Sequence, residues 1–136
     1  MQIKETYLNT NFIVYGSKHK QDDITIKIGS LNEALYKAIP NLTTWAYITA
    51  WNPHPEVLTL EENRERNNEL KKICETTNIE FTEGNGVSED GMWSEESFLI
   101  HNISEDKAYD LAVKFDQLAF VYGVQNQKAK LVFTKK

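Results

Sequence analysis

The spacing of apolar positions along this chain changes several times, and each change marks a predicted element. Tyr7–Phe12 reads as a short helical or irregular lead-in to a strand over Phe12–Tyr15. Residues 16–23 are polar and turn-like, and Ile24–Ile28 then alternates with a period of two, so the two runs are predicted to pair as a hairpin. Ser30 with Glu33 three positions on has capping-box spacing. It should open a helix whose face carries Leu31, Leu35, Ala38 and Ile39 and which stops at Pro40. Trp45–Trp51 is apolar on both faces, as expected of a central strand covered on two sides. Asn52-Pro53-His54-Pro55 ends it, because proline cannot donate to a ladder.

A second capping box, Thr59 with Glu62, predicts a helix to about Thr77, followed by a short strand over Asn78–Phe81. Residues 83–91 hold three glycines (Gly84, Gly86, Gly91) and are expected to be a loop. Glu95–His101 alternates again as a strand, and Ser104 caps a helix with Ala108, Leu111, Ala112 and Phe115 on its buried stripe. Leu118–Tyr122 and Ala129–Phe133 read as a hairpin around Gln125-Asn126. The expected fold is therefore α/β or α+β, a single mixed sheet of about five to seven strands with about three helices packed on it. Residues 1–136 are expected to form a single globular domain.

Composition narrows the function. Hydrophobic residues make up 40% and charged residues 26%, the balance of an ordinary folded protein. No apolar run approaches the roughly 18 residues of a membrane span, and the start, Met1–Tyr7, lacks the apolar core of a signal peptide. Cys74 is the one cysteine, which excludes an intrachain disulfide and a thiolate zinc knuckle, and a cytoplasmic protein without cofactor is expected. The net charge of −5 disfavours general nucleic-acid binding, which needs a basic face. The short basic clusters Lys18–Lys20 and Lys128–Lys136 are expected to be solvated turn and tail charges.

The chemistry worth pursuing lies on the second helix. Residues three or four apart share a helical face, so the stripe through Leu70, Ile73 and Cys74 continues back through Asn63, Arg66 and Asn67. An unpaired buried amide costs about 1–3 kcal/mol, and a guanidinium more. These groups therefore need partners: a ligand, water, or the preceding loop if the amides merely close off the end of the sheet. Thr49 and Asn52 arrive at the same end, and loops beyond strand ends commonly carry ligands. Glu95 and Glu96 head the strand after the glycine-rich segment, and as neighbours in a strand they point to opposite faces. One of them is expected to pair with Arg66 or Arg64, or to act as a base. Gln117 either satisfies backbone at a helix end or reaches the same polar region.

His19, His54 and His101 show no metal-binding spacing, so no metal is expected; His54, two residues after Asn52, is a candidate acid or base. Gly84-Asn85-Gly86 is no phosphate-binding fingerprint, and it reads as a tight turn or lid. Cys74, on an apolar helix face, is expected to be a buried, inert thiol.

Several of these residues also form a pattern. Tyr7-x-x-Thr10-x-Phe12, Thr49-Ala50-Trp51-Asn52-Pro53, Asn63-x-x-x-Asn67-x-x-Leu70, a glycine before Trp93-x-Glu95, and Phe115-x-Gln117-x-Ala119 follow in order. The chain resembles the small bacterial proteins catalogued as domain of unknown function 3293. The resemblance brings no activity with it. It implies that Thr49, Asn52, Asn63, Asn67, Glu95 and Gln117 match the polar positions of that pattern, while His54 departs from a basic residue that often follows Asn-Pro there. Two functions are carried forward. One is a pocket for a small polar or anionic ligand, nucleotide-like ones included, lined by Thr49, Asn52, Asn63, Arg66, Asn67 and Gln117 at the junction of strand 45–52 and helix 59–77, with Glu95, Glu96 or His54 as catalytic candidates. The other is a non-enzymatic module in which the polar cluster is structural and the acidic run 88–96 meets a basic protein partner.

Overall fold

A computed structural model describes residues 3–16, 22–54 and 56–134. His19, the Lys18–Lys20 cluster, Pro55, Lys135 and Lys136 lie outside them. In chain order the elements are α1 (Ile3–Leu8), β1 (Asn11–Val14), β2 (Ile24–Ile26), α2 (Glu33–Ala38), β3 (Thr44–Ile48), α3 (Leu60–Thr76), β4 (Phe81–Val87), β5 (Ser94–His101), α4 (Glu105–Lys114), β6 (Ala119–Val124) and β7 (Lys130–Phe133). The strands form one seven-stranded sheet in the order β2-β1-β4-β5-β3-β6-β7. The α/β class, the central position of β3 and both flanking hairpins agree with the expectation from sequence.

Three local expectations are corrected. All neighbouring strands pair antiparallel rather than in mixed directions. The reason is that β3–α3–β4 and β5–α4–β6 each link strands running the same way, and each pair is split by a third strand inserted between its members. The segment expected to be a glycine-rich loop is mostly strand, because β4 pairs along its length with β5 and at its glycine-bearing end with β1. Finally, α2 is capped by Asn32, whose Oδ1 accepts from Leu35 N at 3.0 Å, and not by Ser30. Ser30 is held instead by backbone pairing with Ala129, Ala129 N donating to Ser30 O at 3.1 Å.

Alternation along the strands builds two cores. One face carries Ala46, Ile48, Phe98, Ile100, Phe120 and Tyr122 against Leu70 and Cys74 of α3 and Ala108 and Ala112 of α4. The other carries Phe12, Val14, Ile26, Trp45, Tyr47, Leu99 and Val121 with Leu35 of α2. This second face is concave. In a flat sheet β1 and β3, with β4 and β5 between them, would lie about 14 Å apart. Instead, the Tyr47 hydroxyl donates to Ile13 O at 2.6 Å and the Phe12 and Tyr47 rings meet edge to face at 5.3 Å. The curl needs small residues on the inside of the bend, and Gly84 supplies one: a Cβ there would strike the Ile13 carbonyl and the Tyr47 hydroxyl. The far edges of the sheet approach each other where Gly29 N donates to Ala129 O at 2.7 Å. Tyr7 of α1 stacks edgewise on Phe133 of β7. No described helix is long and apolar enough to cross a membrane.

Candidate functional site

The chain leaves β3 at Ile48 and turns back toward α3 through Thr49–Asn52, and backbone in that turn has no ladder to join. Side chains satisfy it instead, as a buried backbone requires. Asn67 Oδ1 accepts from Ala50 N at 2.8 Å, and Arg66 Nε donates to Ala50 O at 2.7 Å. Trp51 N donates to Thr49 Oγ1 at 3.1 Å, and Trp51 O accepts from Gln117 Nε2 at 2.8 Å. Asn63 Oδ1 accepts from Asn52 N at 2.8 Å. The same donors reach neighbouring elements. Asn67 Nδ2 and Thr49 Oγ1 both donate to Glu96 O, at 2.8 and 2.6 Å, and Arg66 Nη2 donates to Phe115 O at 2.6 Å with its guanidinium over the Phe115 ring. Asn63 and Asn67 are 2% and 5% exposed, so the amide-bearing end of α3 faces the interior.

Asn52 sits at the centre of this arrangement with φ of 45°, a left-handed conformation that asparagine tolerates. Its Oδ1 accepts from Leu58 N and from Asn63 Nδ2, both at 2.9 Å, which fixes the amide's orientation. Its Nδ2 then donates to Glu95 Oε2 at 2.9 Å, and the Trp93 indole donates to the same oxygen at 3.3 Å. Glu95 is thereby held on the concave face, in register with Ser97 and Leu99, and Glu96 points the other way.

Below Glu95 the concave face opens into a cavity of about 330 Å³. Its walls come from α1 (Thr6, Tyr7), β1 (Phe12), β3 and its exit (Tyr47, Thr49), β5 (Glu95, Ser97) and β6 (Ala119, Val121), with His54, Trp93 and Gln117 beside them. Small residues, Gly86, Ser97 and Ala119, leave the space that larger ones would fill. Burial pushes the Glu95 pKa up, against the lowering effect of the Asn52 and Trp93 hydrogen bonds. Burial, with the charge of Glu95 added, pushes the Tyr7 phenol up to about 12, and burial raises Tyr47 as well. Both phenols therefore stay neutral near pH 7.

The residues singled out from sequence thus divide in two. Thr49, His54, Glu95 and Gln117 line the cavity. Asn52, Asn63, Asn67 and Arg66 stand behind it and hold the turn whose Asn52 fixes Glu95 of β5. Glu96 lies across the sheet in an ion pair with Arg64 at 3.0 Å, so the expected partnership forms through Arg64 and not Arg66. His101 is at the opposite end of β5, its Nε2 2.8 Å from Thr82 Oγ1. Cys74 is buried, and burial pushes its thiol up to about 11, which keeps it protonated. Tyr7, Phe12, Tyr47, Ser97 and Trp93 were not singled out as site residues. Tyr47 and Ser97 follow only from strand parity once β3 and β5 are paired; Tyr7, Phe12 and Trp93 stood in the family pattern without a role, and Tyr7 and Phe12 reach the cavity through a bend that no local pattern announces.

A family model described as a protein of unknown function (DUF3293) matches residues 48–120. That is more than half of the 136 residues, and the chain belongs to that family. The matched segment holds the whole turn, α3, Glu95 and Gln117; Tyr7 and Phe12 precede it. Comparison with curated proteins and with solved structures gave no match.

Proposed function

We propose that this family member binds a small polar molecule in the concave cavity, with Glu95 as the group that fixes it. The observation that carries this reading is a carboxylate set in the wall of a cavity of about 330 Å³ by an amide that is itself locked by a second buried amide. Taking a carboxylate out of water is costly, and a structural role alone would be served as well by a neutral group. Thr49, Gln117 and His54 add polar contacts on the same wall. Among the described residues the lining holds no Lys or Arg, and Arg66 is engaged by two backbone carbonyls. The wall therefore offers no permanent cation to an anionic, nucleotide-like ligand, and the polar half of the sequence expectation is the one retained.

Glu95, with its raised pKa, and His54 are the two groups on this wall able to move a proton. The alternative of an acidic surface docking a basic protein is weaker, because Glu96 is paired with Arg64 and Glu95 faces the cavity rather than the outer surface of the run. A cytoplasmic, bacterial setting belongs to the same reading, resting on the family resemblance and the lone buried thiol.

A thermal-shift screen of neutral, cationic and anionic metabolites against the protein and its Glu95→Gln variant tests the proposal. A ligand at a hundred times its Kd adds about 2.7 kcal/mol of stability, and Glu95→Gln should abolish most of that gain while keeping the fold. If no compound stabilises the protein, and Asn63→Ala and Asn67→Ala do nothing but unfold it, the polar cluster is structural.

A further inference from the structure

Two acceptor oxygens of the cavity wall, one of them charged, are left without a donor among the described residues. Glu95 receives its two neutral donors on Oε2, and among the described residues its Oε1 accepts no hydrogen bond. Gln117, 7% exposed and in the cavity wall, directs its Nε2 to the carbonyls of Trp51 and Phe115, and among the described residues its Oε1 also accepts none. Two acceptor oxygens thus remain on the wall. Glu95 is the one carboxylate among the described lining residues, and none of the ion pairs among the described residues includes it. A partly buried carboxylate without a counter-charge is stabilised by a cation that brings its own donors. The rings of Tyr7, Phe12, Tyr47 and Trp93 also line the cavity, and ring faces attract cations.

Building on the pocket reading, we infer that the ligand is an organic ammonium ion, its N–H groups directed to Glu95 Oε1 and Gln117 Oε1 and its body lying against the aromatic wall. An anion would face the carboxylate, and a neutral alcohol would leave its charge unanswered. The titratable groups sharing the cavity are Tyr7, Tyr47 and His54.

The test uses three compounds of like size and different charge at pH 7.5: phenethylamine, 2-phenylethanol and phenylacetate. Binding is followed by NMR on the Trp93 indole N–H resonance, assigned with Trp93→Phe. The protein should bind the amine about tenfold more tightly than the alcohol, and phenylacetate most weakly. In Glu95→Gln, its fold checked by amide dispersion, the amine should fall to the level of the alcohol. Equal binding of amine and alcohol by the unaltered protein would overturn the charge assignment and leave the pocket standing. A preference for the amine that survives Glu95→Gln would overturn it too. If no compound moves the resonance at millimolar concentration, both the assignment and the pocket fall.

Discussion

Asn52 joins two jobs in one side chain, accepting from Leu58 and Asn63 on its oxygen and donating to Glu95 from its nitrogen. Asn63 in turn holds the Asn52 backbone N–H, so removing it orphans groups on both sides. Asn63→Ala should lower unfolding free energy by about 2–3 kcal/mol, more than a surface substitution and typical of a buried polar group left unpaired; a urea melt measures it. Glu95 gives a pH signature. Burial holds its folded pKa above the usual 4.5, so the folded state keeps its proton longer than the unfolded one. Its contribution to stability is full below 4.5 and is lost as pH rises through the folded value. Glu62 and Asp90, whose pKa values are lowered, have the opposite slope and are common to both proteins in a comparison with Glu95→Gln. The stability of the protein minus that of the variant, from denaturant melts at a series of pH values, should therefore fall above pH 4.5; a flat or rising difference contradicts the desolvation of Glu95. Burial of the asparagines was legible in the sequence because Asn63 and Asn67 fall in line with Leu70 and Cys74 at helical spacing. Of the partners the sequence left open, the preceding loop is the one found, Asn63 and Asn67 accepting from the Asn52 and Ala50 N–H groups. Which groups they meet was not legible, since no periodicity encodes the path of that turn.

Elements marked by caps were the easiest to read. Thr59 with Glu62 forms the capping box at the head of α3, and Ser104 accepts from Lys107 N at the head of α4. β4 was hidden, because Glu83-Gly84-Asn85-Gly86 has the composition of a turn and is made a strand by its neighbours on both sides. One of its glycines has a packing reason. Gly84→Ala would drive a methyl into the Ile13 carbonyl and the Tyr47 hydroxyl, with backbone that cannot yield cheaply. The expected loss is about 1–3 kcal/mol, accompanied by faster hydrogen exchange across β1. Normal exchange at β1 in that variant would mean that the sheet is not tightly curled at Gly84.

At the scale of the molecule, the sheet has two unlike faces. One packs α3 and α4 on an apolar core, and the other bends around a cavity. The polar groups legible in the sequence sit at the edge between them, where the chain passes from β3 to α3. That position let the sequence point to this edge of the sheet, while the cavity itself depends on β1 folding over β3 across two intervening strands. Determining a crystal structure of the protein with the strongest stabilising compound from the thermal-shift screen tests the binding role of the cavity most directly. The compound is predicted to fill the concave cavity with a donor group within about 3 Å of the Glu95 carboxylate. A compound bound elsewhere on the surface, with the cavity holding solvent alone, would contradict it.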